Sequence, residues 1–250
     1  MRFCVFISMQ NKKDRGWQQG HHPKQKGKKM TATVIAVLNQ KGGAGKTTTA
    51  IPLATMLADM GNRVELINQD PQGSSLDWAE ARAINRPETI SFRMSTMGTS
   101  IQQEISSIKA YNDFVIIDGA PQATKLTIAA IKAADIVIIP VQPTQLDTWS
   151  TDSIVDFINE IHDMRGKEDP VTFFLPTRVL KGTKVGRSFS DKLSLAYGHP
   201  ALKSKITQRL AFQEIFEGGG SILDLSPDNP ARHEIKMLTK EIIEIAQGIK

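Results

Sequence analysis

The sequence predicts an α/β fold, doubly wound, with a mainly parallel sheet and helices on both of its faces. Five short apolar runs rich in Val and Ile are near-continuous, which is typical of parallel strands that are covered on both sides. Segments of helical character separate these runs, and such alternation favours right-handed crossovers with ligands at the carboxyl ends of the strands. The 250 residues, 40% of them apolar, suffice to bury such a core.

The predicted elements succeed one another within a single domain over residues 30–250. Strands are predicted at residues 33–38, 63–67, 113–117, 135–141 and 171–175. Helices are predicted at residues 46–60, 74–84, 100–110, 124–133, 147–165, 188–197, 209–217 and 230–248. Since no apolar run approaches the ~20 residues that span a bilayer, and no signal-peptide pattern is seen, we expect a soluble, cytoplasmic protein.

The segment before the first strand is a basic arm. Residues 1–29 contain eight Lys and Arg and one Asp, a net charge of +7, which leaves −2 on the rest of a chain whose total is +5. The arm is polar and has no helical or strand period, so we expect it to be disordered. It is either a DNA-binding arm or an artefact of a translation start that belongs at Met30. The only cysteine, Cys4, excludes a cysteine-built iron–sulfur site.

A glycine-rich loop follows the first strand and decides the chemistry. It comprises Lys41, Gly42, Gly43, Ala44, Gly45, Lys46, Thr47 and Thr48. Glycines let successive backbone N–H groups turn inward at the start of a helix, where the partial positive charge attracts phosphate. Lys46 is placed to reach the β and γ phosphates, and the Thr47 hydroxyl can ligate Mg²⁺. The general P-loop pattern has a further glycine at position 40, where this chain has Gln40.

Two acidic motifs end later strands, where ligands collect. Asp118 closes the apolar run that begins at Phe114, in the Walker B form, and can hold Thr47 or a water bound to Mg²⁺. Asp70 opens an Asp-Pro-Gln-Gly turn after the second strand. The plainer interpretations are a capping aspartate for Asp118 and an ordinary turn for Asp70. Because both motifs follow a P-loop in the chain, the functional interpretation is favoured for each.

The two lysines of the Lys-Gly-Gly-x-Gly-Lys-Thr pattern resemble the deviant Walker A box of the ParA/MinD family of P-loop ATPases. The resemblance covers nearly the whole chain after Met30 and looks closest to small plasmid-partition ATPases. It implies that Lys46 acts within its own subunit while Lys41 contacts the nucleotide of a partner subunit. It also implies that Asp70 orients the water that attacks the γ phosphate. Family members usually have aspartate where this chain has Asn68, so we expect altered metal affinity or hydrolysis rate.

Adenine contacts are assigned by position alone. Pro143 follows the fourth strand, in a segment that the resemblance places near the nucleotide and the dimer interface. Thr177 and Arg178 follow the fifth strand, where base-recognition loops lie in this topology. A plain loop is the alternative at both places.

A second basic segment lies in the C-terminal half, where residues 178–209 have a net charge of +7. A solvated basic face would explain the charge, but ParA-type ATPases bind nucleoid DNA through basic residues of their C-terminal half. The resemblance therefore predicts nonspecific contacts with double-stranded DNA phosphates. The predicted DNA-binding residues are Lys181, Lys184, Arg187, Lys203, Lys205 and Arg209.

Three classes of function remain open. The first is a DNA-segregation ATPase that forms an ATP-dependent homodimer, associates with the nucleoid and is stimulated by a centromere-binding ParB-type adaptor. The second is a MinD-like or cargo-positioning ATPase that acts on a membrane or protein surface. Against a membrane, residues 230–250 form a predicted helix with mixed charges, better suited to packing on the sheet. The third is a metabolic P-loop enzyme, which would require an additional small-molecule pocket.

Overall fold

The computed structural model describes residues 32–86, 93–122, 124–143, 145–165, 170–180, 182 and 184–249. These residues form a six-stranded sheet in the order β3-β2-β4-β1-β5-β6, and every strand pair is parallel. The strands are β1 (Thr33–Val37), β2 (Val64–Asn68), β3 (Arg93–Thr96), β4 (Phe114–Asp118), β5 (Ile136–Val141) and β6 (Val171–Pro176). The predicted doubly wound α/β class is confirmed.

Eight α-helices connect and flank the strands in the described part of the chain. They are α1 (Lys46–Asp59), α2 (Ser74–Asn85), α3 (Ile101–Lys109), α4 (Thr124–Ala133), α5 (Gln145–Arg165), α6 (Lys184–Tyr197), α7 (Ala211–Glu214) and α8 (Pro230–Gly248). The predicted arm at residues 1–29 and Lys181 lie outside the described residues. Lys184 and Arg187 belong to α6, but their side chains also lie outside what the structure describes.

The predicted strands agree with the observed ones to within one residue at each end. The sequence does not predict strand β3, because its residues Arg-Met-Ser-Thr lack an apolar run and only the two central ones are buried. Helix α6 begins at Lys184 rather than at residue 188. The predicted helix at 209–217 is reduced to the single turn of α7, which a 3-10 turn at Glu217–Gly219 follows. The positive φ of Gly218 and Gly219 prevents an α-helix from continuing beyond that point.

The strands bury alternate residues in two separate cores, because side chains of a strand alternate between faces. Ile35 and Val37 of β1 face the core formed with α1, α2 and α8. Val34 and Ala36 face the core formed with α3, α4 and α5. Nearly every residue of the central strands is buried, which explains why their apolar runs are continuous rather than alternating.

Helix α8 packs against α1 and completes the first core. Its start is capped by Asn229, whose side chain accepts a hydrogen bond from Ala231 N at 2.9 Å, and Pro230 occupies the first turn, where it removes no helical hydrogen bond. Ile235, Leu238 and Ile242 are each 0% exposed. The apolar stripe of α8 is therefore buried, as the sequence predicts.

The segment Gly218–Gly220, which follows α7, is hydrogen-bonded to α2. The indole Nε1 of Trp78 donates to Gly220 O at 2.6 Å, and the buried guanidinium of Arg82 donates to Gly219 O at 2.7 Å. Gly219 has a φ of 74°, and a Cβ there would collide with the backbone of Arg82. The close approach of loop and helix therefore requires glycine at this position.

We predict that Gly219→Ala lowers the free energy of unfolding by about 2 to 4 kcal/mol, because strain at positive φ and a backbone collision add. Gly61→Ala is the matched control, since Gly61 has a φ of 88° and open space where a Cβ would lie. That control loses only about 1 kcal/mol. Urea denaturation measures both, and equal losses would show that the collision with α2 is relieved without cost.

Candidate nucleotide-binding site

The carboxyl ends of three neighbouring strands bring the predicted site together. In the parallel register, Asp118 at the end of β4 lies opposite Val37 of β1 on one side and Asn68 of β2 on the other. The glycine loop follows β1 and the Asp70 turn follows β2. Strand pairing alone therefore collects the loop and both acidic motifs at one edge of the sheet.

The glycine loop leads directly into α1 in a conformation that suits an anion. Gly43 and Gly45 have φ values of 75° and 104°, where a residue with a Cβ would be strained. Gly45 is the N-cap of α1 and has no side chain that could cap the helix. The first N–H groups of α1 have no acceptor within the helix. Their partial positive charge is therefore available to phosphate.

Lys46 is held inside this loop. The side chain is 6% exposed, and Nζ donates to Lys41 O at 3.1 Å. Burial lowers the pKa of Lys46, and the negative charges of Asp118 and Asp70 oppose that shift. An ammonium group with so little water around it gains strongly from a phosphate counter-charge.

Lys41 stands at the start of the loop and is partly exposed. Its backbone N–H donates to Asn39 Oδ1 at 2.9 Å, while the Asn39 amide donates to Pro140 O of β5 at 2.8 Å. Asn39 therefore ties the start of the loop to the sheet. The predicted contact of the Lys41 ammonium with a partner's nucleotide stays a prediction.

Thr47 and Asp118 provide oxygen atoms for a metal ion. The Thr47 hydroxyl donates to Asp118 Oδ2 at 2.9 Å. Asp118 is 0% exposed, and Oδ1 has no hydrogen-bond partner among the described residues. Burial raises the pKa of Asp118 to about 6. A buried carboxylate oxygen without a partner is costly unless a cation or water reaches it. These residues therefore fit Mg²⁺, which prefers oxygen ligands.

The metal would need further ligands from a bound phosphate. Among the described residues, no group of three or more His, Cys, Asp and Glu side chains could hold a metal ion. Magnesium commonly binds one or two protein oxygens together with substrate phosphates and water. The sparse protein contribution from Thr47 and Asp118 is consistent with a metal that arrives with a nucleotide.

Asn68 shapes the turn that carries Asp70. The buried Asn68 side chain donates to Asp70 O at 3.0 Å and accepts from Asp70 N at 3.2 Å and Ser75 Oγ at 3.0 Å. Asp70 Oδ1 in turn accepts from Gln72 N at 2.9 Å. An aspartate at 68 could not donate to Asp70 O, so the amide is suited to this turn. Its effect on metal affinity and hydrolysis stays a prediction.

Two cavities adjoin the loop. The larger, of about 620 Å³, is lined by the loop, Asp70, Trp78, Arg178 and Phe216 among other residues. The smaller, of about 110 Å³, lies between Thr177, Arg178 and the segment from 206 to 213. The larger volume falls within the usual range for ligand sites. Of the predicted adenine contacts, Arg178 lines both cavities, Thr177 lines the smaller one, and Pro143 is not among the lining residues of either.

The predicted DNA-binding residues differ in their surroundings. Lys203 and Lys205 are exposed, and Glu241 of α8 accepts hydrogen bonds from the backbone N–H groups of Lys203 and Ser204 at 2.7 and 2.8 Å. Arg209 is instead paired with Glu234 of α8 at 2.8 Å and lines the smaller cavity. A DNA contact by Arg209 stays a prediction, although it would have to compete with this ion pair.

The sequence does not single out Gln142, Asn39 or Glu234, and it assigns Thr177, which also braces the loop, to an adenine contact. Gln142, after β5, donates to Gly43 O at 2.8 Å, and Thr177, after β6, donates to Ala44 O at 3.1 Å. Asn39 braces the start of the loop, and Glu234 holds both Thr207 and Arg209. Position directly after a parallel strand is the one signal that could have drawn attention to Gln142 and Asn39.

Comparison with known proteins agrees with this geometry. Residues 35–222 match the family model described as "CobQ/CobB/MinD/ParA nucleotide binding domain". The chromosome-partitioning ATPase Soj of Thermus thermophilus is 25% identical over 244 residues, which cover 85% of this chain and 96% of Soj. The protein ParA of Rhizobium radiobacter is 28% identical over 194 residues, which cover 76% of this chain and 84% of ParA.

Solved structures show the same fold. The Cyanothece McdA–ATP complex superposes with a TM-score of 0.69 at 17% identity, covering 88% of this chain and 98% of McdA. Cobyrinic acid a,c-diamide synthase of Mycobacterium smegmatis, with a bound ATP analogue and magnesium, has a TM-score of 0.60 at 21% identity and covers 74% of this chain and 93% of the synthase. The matched family model spans well over half of the chain and includes the loop, Asp70 and Asp118. The chain belongs to the CobQ/CobB/MinD/ParA family of nucleotide-binding domains.

Proposed function

We propose that this protein is a DNA-segregation ATPase. In this proposal it binds ATP with Mg²⁺, forms a homodimer, associates with nucleoid DNA without sequence preference, and is stimulated to hydrolyse ATP by a ParB-type adaptor. The observation that supports the ATPase chemistry most strongly is the convergence of Lys46, Thr47, Asp70 and Asp118 around one uncapped helix start. The names of the relatives Soj and ParA support the partition role.

The chemistry follows from the residues around the loop. Lys46 and the first N–H groups of α1 neutralise the β and γ phosphates, while Thr47 and Asp118 hold the metal. A bound Mg²⁺ supplies positive charge that stabilises the leaving phosphate oxygens. Asp70 lines the larger cavity, where its carboxylate can accept a hydrogen bond from the attacking water. Positioning and charge neutralisation account for catalysis, as is usual in phosphoryl transfer.

Lys41 is the proposed link between ATP and the dimer. Its backbone is fixed by Asn39 and Lys46, and it stands at the partly exposed start of the loop. A second ammonium group that reaches the triphosphate from a partner subunit adds charge stabilisation only in the dimer. Nucleotide binding and assembly would then favour each other.

Lys203 and Lys205 support the proposed DNA contact. Both side chains are exposed. The backbone N–H groups of Lys203 and Ser204 donate to Glu241, which ties this segment to α8. Among the described residues, no ion pair of these two lysines is found. A segment that is hydrogen-bonded to α8 and presents two exposed cations is suited to phosphate contacts that release counterions.

The membrane alternative receives no support from α8. A membrane-binding helix needs an accessible apolar face. Here Ile235, Leu238 and Ile242 are fully buried against α1 and the sheet. Within the described residues, no helix combines the length and apolar character required to cross a membrane.

We predict that DNA retention in a mobility-shift assay is strong with Mg²⁺ and ATP and weak with ADP or without nucleotide. The double variant Lys203→Ala/Lys205→Ala should bind DNA about tenfold or more weakly, and the slope of log affinity against log salt should fall by about 2, because two phosphate contacts are lost.

The matched control is Lys236→Ala/Lys240→Ala, which removes the same charge from exposed positions on α8. It should retain the nucleotide dependence and nearly all of the affinity. Equal losses in both double variants would show that only net charge matters. DNA binding that ignores the nucleotide would contradict the proposed function, and binding to vesicles or to a protein surface instead would favour the second class.

We predict that Asp118→Asn abolishes Mg²⁺-dependent ATP binding yet stabilises the nucleotide-free fold at pH 8. Because the pKa of Asp118 is raised from 3.8 to about 6, the folded state binds its proton more tightly than the unfolded state. Below about pH 4 the Asp118 carboxyl is protonated in both the folded and the unfolded state, and the fold has the full benefit of burying it uncharged. This benefit is lost as the pH rises through about 6, because the buried carboxyl then ionises. About two pKa units correspond to about 3 kcal/mol at most.

Urea denaturation of both proteins without nucleotide or metal, from pH 4.5 to pH 8, measures this effect. The advantage of Asp118→Asn should grow with pH. Asp228→Asn, at an exposed position before α8, is the control and should show no such trend. An Asp118→Asn variant that is less stable than the parent at pH 8 would contradict the assigned cost of burying this carboxylate.

A further inference from the structure

Side chains from outside the glycine loop hold two of its consecutive carbonyl groups. The amide Nε2 of Gln142 donates to Gly43 O at 2.8 Å, and the hydroxyl of Thr177 donates to Ala44 O at 3.1 Å. Gln142 directly follows β5 and Thr177 directly follows β6, and these two strands are neighbours in the sheet. The loop is therefore braced by the adjoining strand ends that carry neither acidic motif.

A held carbonyl also orients the next backbone N–H. The C=O of one residue and the N–H of the following residue belong to one planar trans peptide and point in opposite directions. The bond from Gln142 therefore turns the Ala44 N–H away from Gln142. The bond from Thr177 likewise turns the Gly45 N–H away from Thr177. These two N–H groups directly precede in sequence those at the start of α1, so they can join the same set of donors for an anion.

Ala44 is buried, but packing does not restrain the loop at Gly42 and Gly43. A Cβ built at Gly42 or Gly43 would meet no atom of the described residues within 4 Å. Glycine also permits more backbone conformations than any other residue. The hydrogen bonds from Gln142 and Thr177 therefore help to hold one conformation of the loop. Thr177 is well placed to do so, because it is 3% exposed and lies 3.6 Å from where a Gly45 Cβ would be.

We propose that Gln142 and Thr177 are positioning residues, which preorganise the loop for polyphosphate by holding the carbonyl groups of Gly43 and Ala44. This inference rests on nucleotide binding by the loop, and it does not depend on DNA binding. It gives Thr177 a different role from the predicted adenine contact. The ligand class concerned is the polyphosphate chain, whatever base is attached to it.

Binding of two probes tests the proposal. One is a nonhydrolysable ATP analogue and the other is inorganic tripolyphosphate, each with Mg²⁺ and measured by isothermal titration calorimetry. Thr177→Val and Gln142→Met each remove one donor at similar side-chain size. Each variant should bind both probes about 3- to 10-fold more weakly, in the same ratio, because a typical hydrogen bond and the ordering it supplies are lost.

Conservative and matched variants separate positioning from structural support. Thr177→Ser keeps the hydroxyl and should restore binding to within about twofold. Thr172→Val makes the same change on β6 at a buried hydroxyl without a hydrogen-bond partner among the described residues, and Gln103→Met changes an exposed glutamine of α3. Both controls should bind like the parent chain. Thermal unfolding without ligand should differ little between Gln142→Met and Gln103→Met.

Several outcomes would overturn the proposal. A loss of affinity for the ATP analogue with unchanged tripolyphosphate binding would make Thr177 a base or sugar contact. Unchanged binding of both probes by Thr177→Val and Gln142→Met would show that the loop holds its shape without them. If the parent chain bound the ATP analogue weakly or not at all, this inference and the proposed ATPase function would both fail.

Discussion

The uncapped start of helix α1 is the feature on which the site depends. Gly45 supplies no capping side chain, so the first N–H groups of the helix face the loop with partial positive charge. Lys46 adds a buried ammonium group, and the buried Asp118 carboxylate lies close enough to influence its pKa. Each of these groups is costly to bury alone, and a nucleotide with its metal would satisfy all of them together.

Backbone pairing in the parallel sheet brings these groups together, and side-chain hydrogen bonds between distant residues then hold them. Because Asp118 is in register with Val37 and Asn68, the ends of β1, β2 and β4 define the acidic side of the site. The ends of β5 and β6 supply Gln142 and Thr177 on the other side of the loop. The glycine loop is therefore enclosed by the ends of five strands, where ligands bind in this kind of sheet. Its glycines permit the backbone conformations that close phosphate contact requires.

The sequence predicts the central strands and the phosphate loop well, since both depend on local patterns. Continuous Val and Ile runs identify β1, β4 and β5, and residue spacing within the loop identifies Lys46 and Thr47. The sequence does not reveal strand β3, because its burial comes from neighbouring elements rather than from an apolar run of its own.

The sequence also does not reveal ion pairs between residues that are distant in the chain, because these depend on the fold and not on a local pattern. Glu234 pairs with Arg209 across 25 residues, and no local pattern of charge foretells that pairing. The sequence therefore assigns Arg209 to a basic surface, whereas the fold pairs it with α8 beside the smaller cavity. A net positive charge counted along the chain predicts a basic surface only when no acidic residue of another element packs against that segment.

The proposed coupling of nucleotide to assembly depends on Lys41, which the fold leaves at the start of the loop while Lys46 fills the interior. Sedimentation velocity with a nonhydrolysable ATP analogue tests this most directly. The account predicts dimers for the parent chain, and monomers that still bind the analogue for Lys41→Ala. A parent chain that binds the analogue but stays monomeric, or a Lys41→Ala variant that dimerises as readily as the parent, would contradict it.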